Sequence, residues 1–459
     1  LTQREKKILI LGGGLTGLSA GYALAGAGHP VFVFEAAHTV GGIAKTIEHH
    51  GYRFDLGGHR FFTTDPRIDT FVKDLMGGEL ITVPRRSKIF MHGKYFDYPL
   101  KPVNAAFQLG IRTTFRVLVG YAVERVKGLF IAQKPVSLED WVVARFGRPL
   151  FDIFFKQYSE KVWGIGCNRI SAEWVDRRIQ GLSLFKTITH AVLKKKAAQL
   201  PTLVDSFVYP SFGIGRISDR MAAGIQRSGR IHTDTRIVRI NHLRGRITSV
   251  TAQHAGQTRT EEGEQFISSI PITALVALLD PAPPEAIIKA AAALRFRDLI
   301  VLALMIDRPR VTDQAWIYVP ERSIPFGRIH EPTNWSEQMA PAGKTLLVLE
   351  FFCFRSDALW NADDRALTEE GITHLVQLGF IQPGEVTDSV AIRVPNAYPL
   401  FEVGYEKYFH EIADYLTSFE NLHLAGRAGM FRYDNMDHAM RSGMDVAETI
   451  IKTRKDISF

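Results

Sequence analysis

Between Ile8 and Glu35 the chain runs through an apolar strand, the turn Gly12-Gly13-Gly14-Leu15-Thr16-Gly17, an alanine-rich helical stretch and a second apolar strand that ends on an acid. Each residue type suits one task in holding a dinucleotide. Gly12 and Gly14 let the backbone turn and come close to a pyrophosphate. Leu15 and Thr16 open a helix whose first amides face those phosphates, Gly17 allows the helix to approach the strand, and Glu35 can accept from a ribose hydroxyl. A glycine fingerprint alone is weak evidence. Here both strands, the helix and an acid 18 residues beyond Gly17 accompany it, which makes ordinary turn glycines the poorer explanation.

The residues beyond Glu35 decide which dinucleotide is expected. The chain does not run on into another strand and crossover helix, as a nicotinamide domain would; it continues through Gly41-Gly42 and Gly57-Gly58-His59. A second glycine pair lets the backbone pass under a larger cofactor. Near the other end, Leu422 to Gly429 form a strand running into a glycine turn, which would return to the first unit and bring Gly426 and Arg427 to the same pyrophosphate. Val238 and Met436 complete the expected cofactor wall. This joining of both chain ends suits FAD.

The elements that must position these residues alternate in character. Ile89 to Pro99 suggests a hairpin turning at His92-Gly93, and residues 103 to 200 carry helical periodicity, with helices expected near 104–130, 137–146, 148–160 and 171–198. Strand and helix signals resume near Tyr209 and Ile231. Apolar runs such as Leu299–Ile306 and Thr345–Phe352 predict buried strands of a second sheet. The expected fold is α/β: a Rossmann-like FAD-binding domain of the glutathione-reductase type with two inserted modules. The FAD domain is assigned to 1–100, 205–268 and 416–459, a helical insert to 101–204, and a sheet-based substrate domain to 269–415.

On these residues the chain resembles the UDP-galactopyranose mutases, within the wider FAD-dependent amine oxidase and protoporphyrinogen oxidase superfamily. The motifs that carry the resemblance are the glycine pair, Gly57-Gly58-His59, Tyr158 to Trp163, and Gly426-Arg427 through Tyr433-Asp434-Asn435-Met436-Asp437-His438. They are spread over essentially the whole chain. The resemblance implies a sugar-nucleotide pocket containing Trp316 and Tyr318 with Arg328, together with Tyr98, Trp163, Tyr398, Tyr433 and Asn435. A second arginine on a helix near the flavin corresponds to Arg178, or to Arg177 in a shifted alignment. It also implies that Arg178 and Arg328 clamp a diphosphate while the phenols add directional hydrogen bonds. His59 either sits by the flavin or satisfies a loop carbonyl. Taken one at a time, the aromatics fit core packing and the arginines fit surface ion pairs; it is their combination that points to a pocket. Two departures stand out. Tyr98-Pro99 is followed by Leu100-Lys101, where the family often has an amide that reads uracil, and the loop at Asp434-Asn435-Met436 differs from one branch of the family. The base and the sugar therefore do not carry over.

The implied activity is interconversion of the pyranose and furanose forms of a nucleotide-diphosphate sugar, with reduced FAD as the nucleophile, no net redox change, and NAD(P)H as the expected reductant. The competing reading is an oxidase or desaturase of the amine oxidase or protoporphyrinogen oxidase type, which shares the cofactor motifs. A third is a non-catalytic flavoprotein bound to a membrane or partner. The stretch 104–130 mixes Arg112, Arg116, Arg125 and Lys127 with apolar residues, although a core helix with snorkelling basic ends explains it better.

Composition narrows the remaining classes. With 459 residues, 46% of them hydrophobic, the chain can bury large cores, and no apolar run approaches the ~18 residues of a membrane span. The first residues lack the apolar core of a signal peptide, so a cytoplasmic location is expected. Cys167 and Cys353 form no CxxC pair, which gives no support to a disulfide or metal site and predicts two small buried residues. The formal charge of +8 is spread along the chain and suits phosphate-rich ligands, with no nucleic-acid signature. Homo-oligomerisation is left open.

Overall fold

The computed structural model describes residues 7–130, 134–173, 175 and 206–456. Its first layer is a five-stranded parallel sheet. Ile8–Leu11 lies at the centre, flanked on one side by Val31–Phe34 and Arg230–His232, and on the other by Gln265–Ser268 and Leu422–Leu424. All four residues of Ile8–Leu11 are buried, as expected of a parallel strand covered on both faces. The sheet thus collects strands from both ends of the chain.

Glycines set how closely the covering helices approach. A Cβ at Gly17, in the helix Leu15–Gly26, would lie 2.0 Å from the Gly12 carbonyl oxygen. A Cβ at Gly443, in the C-terminal helix Met436–Asp456, would lie 2.1 Å from the Thr16 carbonyl oxygen. Both helices therefore sit at backbone contact beside the first turn.

The second layer is a seven-stranded sheet in the order Val386–Pro399, Phe296–Ile306, Thr345–Cys353, Arg328–His330, Trp316–Tyr318, Ser87–Met91, Lys94–Asp97. Every residue of Phe296–Ile306 and Thr345–Cys353 is buried, because one face packs on the helix Asp364–Gln377 and the other on Tyr52, Phe54 and Leu56. The hairpin at His92-Gly93 forms as expected, with both turn residues at positive φ (53° and 69°). Its placement differs from the expected domain limits: Ser87–Met91 pairs in parallel with Trp316–Tyr318, so this part of 1–100 belongs to the second sheet. Thr235–Leu243, Arg246–His254 and Gln257–Glu262, with Leu279–Asp280, form a separate four-stranded sheet.

In the helical region, Gly110 (φ 77°) divides the expected 104–130 helix into Pro102–Leu109 and Ile111–Phe130. The helix expected near 148–160 contains a π-helical stretch, Phe151–Lys156, a feature often found beside functional sites. The helix expected at 171–198 lies almost entirely outside the described residues. Both cysteines are buried, and burial pushes their thiols up to about 12.

The hairpin formed by Thr46–His49 and Tyr52–Asp55 is locked to the strand Ser206–Pro210 through buried Asp55. Its carboxylate accepts from Thr46 Oγ1 (2.6 Å), Tyr209 Oη (2.6 Å) and the Ile214 amide (3.2 Å). Burial raises the Asp55 carboxyl from its usual 3.8 to about 7, against the pull of those three donors. Between these two values the folded protein holds a proton that the unfolded chain has released. This group's contribution to stability is therefore full below about pH 4 and falls as pH rises through about 7. Melting temperatures measured across this range should decline more steeply for the wild type than for Asp55→Asn; parallel curves would show that Asp55 is ionised throughout.

Candidate active site

The two layers enclose a cavity of about 2910 Å³. At one end lies the first βα turn. Gly12 (φ 106°) turns the chain, and Gly14 stands at the start of the helix with no side-chain cap, leaving the helical amides open towards the cavity. Gly41 and Gly42 pass beneath: the Gly41 amide donates to the Gly13 carbonyl at 2.8 Å, and a Cβ at Gly42 would lie 3.2 Å from the Gly14 Cα. Glu35 accepts from the amides of Gly13 and Ala37, both at 2.8 Å, which holds its carboxylate at the cavity edge. An uncapped helix start, a glycine cradle and a braced acid fit the pyrophosphate and ribose of FAD.

Elsewhere on the lining, aromatic rings converge on two guanidiniums. Tyr398 and Tyr433 stack with centroids 6.2 Å apart at 19°, and Trp163 meets both edge-on at 6.4 and 6.2 Å. The Arg427 guanidinium lies 4.8 Å from the Tyr398 ring and 4.6 Å from the Tyr433 ring. Its Nε and Nη2 are buried with no acceptor among the described residues. Arg328 Nη2 donates to Tyr398 Oη at 3.0 Å and lies 2.6 Å from Glu350 Oε2. Nearby, Tyr318 packs against Tyr98 at 4.7 Å and against Tyr158 at 5.4 Å.

Glu350 has no place in the sequence-based site, yet it is the group that orients Arg328. The two residues are direct partners across adjacent antiparallel strands, and the Glu350 side chain is fully buried. Burial raises the Glu350 carboxyl, opposed by Arg328 and the Gly58 amide. Burial also works against the charge on Arg328, but Glu350 and the surrounding phenols outweigh it and hold its pKa well above the usual value. The available signal was a lone acid inside the apolar run Thr345–Phe352, since a charge buried in a central strand needs a partner.

His59 and His330 lie in the same electrostatic environment. Burial, then Arg427 and Arg328, lowers His59 to about 3; burial, then Arg328 and His59, lowers His330 to about 3. Both imidazoles are neutral at physiological pH. Among the described residues His59 Nδ1 is buried without a hydrogen-bond partner, while a backbone hydrogen bond at Gly57 opposes the lowering of the imidazole. Lys161 also escaped sequence reasoning. Its Nζ donates to the carbonyls of Val319 (2.7 Å) and Phe326 (3.2 Å), tying together the loop between Tyr318 and Arg328.

Most of the expected site residues meet on this one cavity wall. Gly12, Gly14, Leu15, Thr16, Glu35, Gly41, Gly42 and Gly58 line the cofactor side, with Met436. His59, Tyr98, Trp163, Trp316, Tyr318, Arg328, Tyr398, Arg427, Tyr433 and Asn435 line the remainder. Three expected residues lie off the wall. Gly17 and Gly426 act behind it as packing glycines, where a Cβ at Gly426 (φ 75°) would lie 2.3 Å from Thr16 Oγ1. Val238 is replaced on the wall by its neighbours Thr235, Arg236 and Ile237. Arg178 and Arg177 lie outside the described residues; the guanidinium that shares Tyr398 with Arg328 is that of Arg427, the residue expected on the cofactor pyrophosphate.

Residues 15–451 match the family model of flavin containing amine oxidoreductases. The structure is similar to that of a reduced UDP-galactopyranose mutase, with a TM-score of 0.85, 21% identity, and coverage of 98% of this chain and 94% of that one. It also resembles cyclohexylamine oxidase from Brevibacterium oxydans, with a TM-score of 0.68, 13% identity, and coverage of 98% and 100%. Among curated proteins, an L-amino-acid oxidase of Echis ocellatus is 32% identical over 142 residues, which is 28% of each chain. That of Sistrurus catenatus edwardsii is 40% identical over 72 residues, 16% of this chain and 14% of the relative. These two alignments span less than a third of the relatives' lengths.

Proposed function

Because the chain belongs to the flavin-containing amine oxidoreductase family, we propose that this flavoprotein is a mutase that interconverts the ring forms of a nucleotide-diphosphate sugar. The observation that carries this reading is the convergence of Arg328 and Arg427 on the Tyr398 phenol. When bound and reduced, FAD supplies the nucleophile for the anomeric carbon. The protein's own task is then to hold a diphosphate that leaves and must return.

The residues are suited to that task. Burial and neighbouring acidic groups raise the Tyr398 phenol despite Arg328, so it keeps its proton. Since the Tyr398 oxygen already accepts from Arg328, its O–H remains available to donate to an anion. Glu350 neutralises Arg328, while Arg427 makes no ion pair among the described residues, and Arg60 and Arg85, against Trp316 and Tyr98, add positive charge to the lining. Tyr98, Tyr158 and Tyr318 form an aromatic wall that covers the sugar and excludes water. The neutral histidines offer no strong acid, in keeping with chemistry that needs no acid and base pair at the ring.

The full-fold likeness to a UDP-galactopyranose mutase supports this reading. The same family contains oxidases, whose amine substrates would need an open aromatic face. Here the Arg427 guanidinium already lies against both Tyr398 and Tyr433. Anaerobic incubation of dithionite-reduced protein with a series of nucleotide sugars should yield the ring isomer, with no product from the oxidised form. Hydrogen peroxide release from amines or amino acids, with no sugar isomerisation, would replace the mutase with an oxidase.

The reductant is proposed to be NAD(P)H. The chain has a single dinucleotide fingerprint, so the nicotinamide would enter the substrate side of the cavity. Anaerobic NADH or NADPH should bleach the flavin; failure of both would mean that a separate reductase serves the enzyme.

A further inference from the structure

Among the described residues, the helix Ile111–Phe130 turns only a narrow face towards the protein. Val117 is buried, and Gly120 lies so close to Pro149 that a Cβ there would stand 2.4 Å from the proline Cδ. On the opposite face Ile111, Phe115, Leu118, Val119, Val126 and Leu129 are 91, 68, 47, 45, 54 and 81% exposed. Their spacing places them on one continuous stripe along the whole helix. This contradicts the sequence-based alternative of a core helix with snorkelling basic ends: the apolar stripe itself faces outward.

The stripe is flanked by charge of one sign. At about 100° per residue, Arg112, Arg116 and Lys127 border one side and Arg125 the other. The helix has one acid, Glu124, whose carboxylate is held by Lys127 at 2.7 Å. At Phe107, in the preceding helix Pro102–Leu109, a further ring is 84% exposed. No helix among the described residues is long and apolar enough to cross a membrane, and four basic residues suit this one to lie along a surface. A second copy is a poor cover, because twofold pairing of the stripe would bring its basic borders against each other. Anionic lipid headgroups complement those borders, and the acyl boundary takes up the stripe.

We propose that Ile111–Phe130 is a docking helix for an anionic phospholipid bilayer, lying in the interface with its apolar stripe inward. The site is one helical layer from the cavity, since Pro149 packs on Gly120 and the adjacent Leu150 lines the cavity wall. The inference does not depend on the mutase reading.

The test is flotation of the flavin-loaded full chain with vesicles of phosphatidylcholine alone, or of equal parts phosphatidylcholine and phosphatidylglycerol. Binding is expected to the mixed vesicles, to weaken as salt rises, and to be slight on phosphatidylcholine. Phe115→Ser with Leu118→Ser should lower partitioning about tenfold or more. Arg112→Gln with Arg116→Gln should lower it about tenfold on the mixed vesicles. Flavin content should be unchanged in both. If the apolar pair loses flavin, the arginine pair carries the comparison alone. Three outcomes overturn the proposal: absence of flotation, flotation indifferent to lipid charge and to both variants, or concentration-dependent self-association abolished by the serine variant without vesicle binding.

Discussion

Arg328→Ala is expected to reduce turnover of a nucleotide sugar by the reduced enzyme by about two orders of magnitude or more, corresponding to about 3 kcal/mol or more. Free nucleoside diphosphate should lose more affinity than the intact sugar nucleotide, because the detached anion carries more charge. The same substitution should lower the melting temperature, since it leaves the fully buried Glu350 carboxylate without its 2.6 Å partner. Breaking such a pair costs about 3–5 kcal/mol. These two effects can be separated. The double variant Arg328→Ala, Glu350→Gln replaces the stranded charge with a neutral amide and should recover much of the stability but none of the turnover. Arg328→Lys keeps a charge without the planar fork and should fall between. Recovery of turnover in the double variant would make the pair a structural device. Full activity in Arg328→Ala would remove the diphosphate clamp and favour an oxidase.

Gly14→Val is expected to give a folded protein without flavin. The backbone at Gly14 (φ −74°, ψ 178°) is one any residue adopts, and a Cβ there meets only Gly42 atoms at 3.7 and 3.9 Å, an ordinary contact. A branched side chain would therefore intrude into the space where backbone amides meet phosphate rather than into the protein. Losing even one or two charge-assisted hydrogen bonds there would weaken FAD binding on the order of a hundredfold. Gly17→Ala makes the contrasting control, because its Cβ would lie 2.0 Å from the Gly12 carbonyl oxygen and should disturb the turn and lower stability. Measurement requires the flavin-to-protein absorbance ratio after reconstitution, alongside thermal melting. A yellow Gly14→Val protein with wild-type affinity would place the cofactor phosphates elsewhere.

The sequence by itself determined the elements whose geometry is set by near neighbours. The glycine turn, its flanking strands, Glu35 and the His92-Gly93 hairpin are all local, because backbone conformation there depends on adjacent residue types. The apolar runs at 299–306 and 345–352 were legible for a related reason: continuous burial requires continuous apolarity. Tertiary structure alone decided what depends on which segments become neighbours. Arg328 and Glu350 meet because two strands pair in one register, and neither local sequence specifies the other. The hairpin was visible, but its membership of the seven-stranded sheet rests on pairing with Trp316–Tyr318, far away in the chain. Val238 falls at an irregularity of the strand between Ile237 and Arg239, a break in alternation set by its pairing with Arg246–His254, and Thr235, Arg236 and Ile237 line the cavity in its place. The helix Ile111–Phe130 follows the same rule. Its amphipathic pattern is written in the sequence, but which face the protein covers was settled by the close approach of Gly120 to Pro149, and so the apolar stripe was left outward.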